Sequence, residues 1–224
     1  MKVRPILFSS PMVRAILNGS KTQTRRVVKP RKDLNYGCLL QPNELAGEVN
    51  AGSYMNCPYG KPGDQLWVRE KFQPIFEDGK TWDDLPEIDY KTGKGYSVSY
   101  PATDGIIEFI NSDDEISDAC KPSIHMPRWA SRIQLEITGV RVERLQDISE
   151  EDALAEGVES DHTEFEMIYW VDGVKGYQLS ENYAASAKEA YQRLWESING
   201  PGSWDENPWV WVIEFERCDG KEGR

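Results

Sequence analysis

The sequence predicts an α+β fold: a mixed β-barrel with short flanking helices and long insertions. Three observations carry this expectation. Ile133, Leu135 and Ile137 alternate with Gln134, Glu136 and Thr138, the period of a half-buried strand. After Gly139 the apolar set moves to Val140 and Val142, the other parity. A one-residue phase change at a glycine marks a bulge or a barrel corner, and closed barrels need such bends. Two short helices carry their own start and stop signals, one from Ser149 to Gly157 and one from Ser186 to Gly200-Pro201.

Along the chain, Pro5 to Ser9 reads as a first strand. Ser10-Pro11 then starts a helix, with serine as the cap and proline at the first helical position, where its missing donor costs nothing. Met12, Val13, Ile16 and Leu17 give that helix one apolar face, and Gly19 stops it. Thr24 to Val28 is β-prone and ends before Pro30. From Arg31 to Gly60 no period is sustained, and the stretch reads as an insertion ordered in part by Tyr36, Tyr54 and Tyr59. A strand over Gln65 to Glu70 follows the Pro62-Gly63 turn. Residues 71–124 are acidic, with β-prone islands at Tyr96–Tyr100 and Gly105–Ile110. They read as an elaborated hairpin rather than a second domain.

The central long strand spans Arg132 to Leu145, and the helix beginning near Ser149 stops at Gly157. In the next helix Ser186-Ala187-Lys188-Glu189 is a capping box, and Ala187, Ala190, Tyr191, Leu194, Trp195 and Ile198 form the apolar face. The closing strand puts Trp209, Trp211, Ile213 and Phe215 on one face, a stripe that reads as core. Residues 1–224 thus read as one domain with insertions near 31–60, 71–124 and 158–184. Strands near 24–28, 65–70, 132–145 and 208–217 are expected to share one sheet system.

Composition narrows the function classes. A chain of 224 residues with eight tryptophans has the apolar content for a core. No N-terminal apolar run has the length of a signal peptide and no stretch approaches a membrane span, so a cytoplasmic protein without a membrane partner is expected. Cys38, Cys57, Cys120 and Cys218 are far apart and form no Cys-x-x-Cys pair, so neither a metal site nor a disulfide framework is expected, and no cofactor is implied. The net charge of −12 argues against indiscriminate nucleic-acid binding, which needs lysine and arginine on phosphates. That charge is unevenly spread. Residues 1–33 hold nine Lys/Arg against Asp33 alone, a net of +8, and the rest carries 17 Lys/Arg against 37 Asp/Glu, a net of −20. A basic edge on an acidic body selects a nucleoside or a specific RNA over bulk polynucleotide.

The densest chemistry lies in Gly19-Ser20-Lys21-Thr22-Gln23-Thr24-Arg25-Arg26, where a helix end meets a strand. Such a turn presents an amine, hydroxyls and guanidinium groups to one ligand on a rigid base. The plainer reading is a solvated basic loop at the negative end of a helix dipole.

That turn resembles the signature of the ASCH family, a branch of the PUA-like β-barrels. The family pattern Gly-x-Lys-x-x-(Thr/Glu)-x-Arg is matched by Gly19, Lys21, Thr24 and Arg26. Lys61 to Arg69 resembles the family's Gly-Asp turn and following strand. Arg132 to Leu145 resembles its long central strand, Ile148 to Gly157 the helix after it, and Trp209 to Arg217 its closing strand. These segments cover a little under a quarter of the chain. Within the family, small bacterial amidohydrolases acting on N4-acetylcytidine use a lysine, a threonine and a glutamate. The resemblance carries these roles over to Lys21, Thr24 and Glu156, in a chain about twice as long. It also implies a small-molecule nucleoside or modified base as partner. A non-catalytic RNA- or base-binding module, or a ribonuclease, is the alternative.

The implied chemistry is coherent. A desolvated lysine can take the proton of a threonine hydroxyl or of a water, and Glu156, in the last helical turn, is placed to exchange protons with the leaving amine. The plainer reading of Glu156 is a solvated surface glutamate. Arg26 suits a base carbonyl or phosphate, or a salt bridge to one of the many carboxylates. Arg69, His125, Arg128 and Trp129 are candidates for substrate binding, Trp129 by stacking and His125 by donation, or else are turn and packing residues.

Overall fold

The computed structural model describes residues 1–76, 89–110, 116–162, 167–171 and 184–218. In chain order the elements begin with β1 (Val3–Leu7), α1 (Ser10–Leu17), β2 (Gln23–Val27), β3 (Arg31–Lys32), β4 (Leu39–Leu40) and α2 (Pro42–Asn50). They continue through β5 (Gln65–Arg69), β6 (Gln73–Phe76), β7 (Tyr96–Ser99), β8 (Phe109–Ile110) and β9 (Ile116–Ser117). The last are β10 (Gln134–Arg144), α3 (Glu150–Ala155), β11 (Glu159–His162), β12 (Met167–Trp170), α4 (Ala187–Asn199) and β13 (Trp209–Arg217). The main sheet has the order β1-β5-β10-β13-β2, so the four strands expected to share a sheet do so, with β1 added at the edge. The architecture is α+β with a mixed sheet: β2, β13 and β10 are antiparallel to their neighbours. By contrast, Gln65 N–H donates to Lys2 O and Phe8 N–H to Arg69 O, the advance of a parallel pair.

The chain forms two units, Met1–Arg4, Ala15–Leu66 and Leu135–Arg224 in the first, and Pro5–Arg14 and Trp67–Gln134 in the second. In the first, the β10–β13 register slips between Ile137 and Gly139, a bulge at the glycine where the apolar parity changes. β13 lies between β10 and β2 and is buried on both faces, which corrects the one-sided stripe expected of it. Trp211, Ile213 and Phe215 are buried on one face. Val210 and Val212 on the other pack into a cluster with Ala153, Tyr191, Leu194, Trp195 and Trp204 from α3, α4 and the following turn. A helical layer over a central strand accounts for the second buried face.

Local signals positioned the helices well. Ser186 Oγ accepts from Glu189 N–H at 3.1 Å, while Glu189 Oε2 accepts from Ala185 N–H at 2.8 Å, one residue earlier than a standard box. Ala187, Ala190, Tyr191, Leu194 and Trp195 are buried as expected, but Ile198 is exposed because the last turn of α4 projects past the apolar cluster. The 31–60 stretch is also corrected. It holds the β3–β4 pair and α2, and Tyr36 is 87% exposed and orders nothing.

In the second unit, β6 pairs with β7 and β8 with β9, both antiparallel, within the segment expected to be an elaborated hairpin. Phe72, Met126 and Ala130 are its buried centre, ringed by Val98, Tyr100 and Trp129. The 158–184 insertion contributes β11 and β12, with Val158, Val171 and Ala184 buried against the α4 cluster, and residues 163–166 and 172–183 lie outside the described residues.

Candidate active site

Two distant pieces of chain meet at Lys21 and Glu156, which form a backbone bridge. Lys21 N–H donates to Ala15 O and Thr22 N–H to Ala155 O, both at 2.9 Å, and Phe215 N–H donates to Thr22 O at 2.8 Å. The turn after α1 is thereby tied to the end of α3 and to β13. Glu156 is there because α3 is short. Ser149 Oγ caps its start by accepting from Asp152 N–H at 3.1 Å, and Glu156 is its C-terminal cap residue. Gly157 follows at φ +94°, and a Cβ there would stand 3.2 Å from Ala15 Cβ and 3.3 Å from Lys21 Cβ. Gly157→Ala is therefore expected to cost about 1–3 kcal/mol from backbone strain and to loosen the Lys21 turn, read as a lower urea midpoint.

The side chains complete what the backbone begins. Lys21 Nζ donates to Glu156 Oε2 and to the Glu156 carbonyl, each at 2.7 Å. The lysine side chain is 0% exposed and the glutamate 3%. Burial pushes the Lys21 ammonium below its ordinary pKa, outweighing the upward pull of Glu156, and the nearby Arg26 and Arg25 push the same way as burial. A lysine in this environment gives up its proton more readily than one in water.

Arg25, which the sequence did not single out, is the third member of this centre. Its Nη1 donates to Glu156 Oε1 at 3.2 Å, and its Nη2 to Glu143 Oε1 at 2.7 Å and Asp152 Oδ2 at 2.8 Å. Arg141 holds the same carboxylates from the other side, reaching Glu143 at 2.8 Å and Asp152 at 2.7 Å, and also pairs with Glu214. The Arg25 guanidinium lies 5.9 Å from the ring centre of Tyr191, a buried phenol that desolvation raises well above its ordinary pKa. Gln23 Nε2 donates to Asp152 O at 2.7 Å. The available signal was strand parity: Gln23 and Arg25 alternate with Thr24 and Arg26.

That parity also places the other predicted residues. Arg25 pairs with Val212, which packs with α3 and α4, whereas Thr24 pairs with Ile213 and Arg26 with Trp211 on the opposite face of β2. Thr24 is buried, and among the described residues its hydroxyl makes no hydrogen bond to Lys21 or Glu156. Arg26 is half-buried on the same face as Thr24. The structure thus joins Lys21 to Glu156 directly and sends the Thr24 and Arg26 side chains to the other side of the strand.

Arg69, His125, Arg128 and Trp129 belong to the second unit. Arg69 donates to Ile124 O, and the Arg69 and Arg128 guanidinium groups lie 5.5 and 5.6 Å from the Trp67 ring centre. His125 is exposed at the end of a 3₁₀ turn. Trp129 is packed: its Nε1 donates to Tyr90 O at 2.8 Å, and its ring meets Tyr90 edge-on at 5.8 Å.

Among the described residues no group of three or more His, Cys, Asp or Glu is placed to hold a metal ion, and no helix is long and apolar enough to cross a membrane. No family model, curated protein or solved structure matches this chain.

Proposed function

We propose that this chain hydrolyses the amide of an N4-acylated cytidine or a related modified nucleoside, with Lys21 and Glu156 as its proton-transfer pair. The observation that carries the reading is the buried 2.7 Å contact between these two side chains, 135 residues apart in sequence. Burying an amine and a carboxylate is costly, and a buried amine with lowered proton affinity is characteristic of reactive sites. The resemblance of the Lys21 turn to the ASCH signature supplies the substrate class, and the mixed five-stranded sheet with its Gly139 bulge supports the PUA-like barrel that goes with it.

The reaction follows from the pair. A nucleophilic oxygen attacks the acyl carbonyl and its proton passes to the Lys21 amine. The resulting tetrahedral intermediate expels N4 as the carbon–nitrogen bond breaks. N4 leaves poorly as an anion, so a proton relayed through Glu156 is delivered to it, giving cytidine and the carboxylic acid. With Thr24 projecting from the opposite face of β2, water is the nucleophile this arrangement favours. Arg25 holds the Glu156 carboxylate in line through the remaining oxygen.

Incubation of the full chain with N4-acetylcytidine, followed by chromatography, is expected to release cytidine and acetate in equal amounts. If neither the N4-acetyl nor the N4-benzoyl nucleoside is cleaved, while an oligoribonucleotide binds saturably, the chain is a binding module and this reading fails.

A further inference from the structure

The first unit carries a cleft of about 550 Å³ that shares no residue with the Lys21–Glu156 network. Its volume is that of a small-molecule site, which runs to roughly 300–1,000 Å³. It is lined by Lys2, Arg4, Lys61 and the carboxylate of Asp64, together with Leu34, Tyr54 and Met55. Three cations lining one cleft stand out on a chain of net charge −12.

The cationic wall is built rather than scattered. Asp64, buried, accepts from Lys2 N–H at 2.7 Å, from Lys61 N–H at 3.3 Å and from Arg4 Nη1 at 3.3 Å, so a single carboxylate fixes all three segments. Arg4 Nη1 also donates to Tyr59 O at 3.4 Å. Gly60, at φ +122°, lets this clamp close: a Cβ there would come within 2.6 Å of Arg4 Nη1 and 2.9 Å of Asp64 Oδ2. Among the described residues the Lys2 and Lys61 ammonium groups make no ion pair, so their charge faces solvent. Leu34 and Met55 add exposed apolar surface to the same lining.

We propose that this cleft binds a nucleoside 5′-monophosphate, with the phosphate monoester against Lys2, Arg4 and Lys61 and the base against Leu34, Tyr54 and Met55. Phosphate is matched chiefly by the two ammonium groups, which carry the charge, while the Arg4 guanidinium, paired to Asp64 and fixed by it, adds N–H donors beyond that ion pair. A flat, weakly polar base is matched by the apolar and aromatic lining.

The test is calorimetric titration of the full chain with cytidine 5′-monophosphate, and in parallel with cytidine, inorganic phosphate and a ten-nucleotide single-stranded RNA. The nucleotide is expected to bind one to one, with cytidine and phosphate each about tenfold or more weaker, because each lacks one half of the contacts. Lys61→Glu reverses a charge whose side chain makes no hydrogen bond or ion pair among the described residues, so it is expected to weaken the nucleotide about tenfold or more with little change in the urea midpoint. Arg4→Ala is expected to do at least as much in the folded protein. Absence of nucleotide binding, wild-type affinity in Lys61→Glu, or phosphate binding as tightly as the nucleotide overturns the proposal. RNA binding more than about tenfold tighter than the nucleotide overturns it too, in favour of a polynucleotide groove.

Discussion

Glu156→Gln is expected to lower turnover of an N4-acylated cytidine by roughly two to four orders of magnitude, with the fold retained. The amide keeps the shape of the carboxylate and a carbonyl oxygen to accept from Lys21, though its NH2 then faces the Arg25 Nη1 donor and lowers the urea midpoint, and it cannot carry a proton to the leaving nitrogen. Lys21→Ala is expected to abolish turnover and also to destabilise the chain by about 3–5 kcal/mol, because Glu156 is left buried with only part of its cationic support. The double variant Lys21→Met/Glu156→Leu separates the two effects. Replacing the buried pair by apolar side chains of similar volume is expected to recover most of the stability and none of the activity. Chromatographic rates and urea midpoints on the same preparations check this. Wild-type turnover in the double variant would remove the pair from the mechanism.

The pH dependence follows from the direction of the Lys21 shift. Its pKa in the folded chain lies below the ordinary 10.5, so between the two values the unfolded chain binds more protons. Stability therefore rises with pH across that window, as the cost of burying a charged amine is relieved. A limb of turnover that requires the free amine is expected to rise with pH up to the folded-state pKa, which lies below 10.5, and to level off on its alkaline side. Both features should vanish in Lys21→Met. Persistence of the stability slope in that variant would assign it to another group.

Arg25→Ala is expected to cost about 3–5 kcal/mol, as large an effect on stability as any single change at this site. It takes one of their cationic partners from Glu156, Glu143 and Asp152, which converge on one guanidinium with no exposed side-chain surface. Arg25→Lys keeps the charge but not the fork, so it should restore part of the urea midpoint while leaving turnover low, since a point charge cannot hold three carboxylates in register. An acid titration gives an independent check. Burial pushes the Asp152 carboxyl up, but Arg25 and Arg141 together hold it below its ordinary 3.8. Its stabilising contribution is therefore present above the unfolded value and lost as pH falls through the folded one. Removing Arg25 should move the onset of acid unfolding upward. An unchanged acid limb would show that Arg141 alone sustains Asp152.

Much of this architecture was legible because its signals are local. Ser149, Ser186 and Gly157 mark helix ends through hydrogen bonds and backbone angles set within a few residues, and the parity change at Gly139 announced a bulge before any partner strand was known. α2 escaped notice for an equally physical reason. Only Leu45, Ala46 and Val49 are buried along its nine residues, and Gly47 sits in its middle. A helix that short owes its stability to what it packs against more than to its own propensity. Even its start is unusual, a glutamine whose N–H donates to Glu44 Oε2 at 2.7 Å.

The Lys21 turn, the short helix ending at Glu156 and the closing strand were determined by sequence alone, since each rests on propensities and spacings within its own segment. Which of two adjacent arginines meets Glu156 was not. Arg25 and Arg26 are chemically identical, and only the register of β2 on β13 puts Arg25 opposite Val212, on the face covered by α3 and α4, and Arg26 opposite Trp211 on the other. A one-residue slip would exchange them, because side chains alternate with period two. Register is fixed by hydrogen bonds between strands nearly two hundred residues apart in sequence, and those exist only in the folded chain.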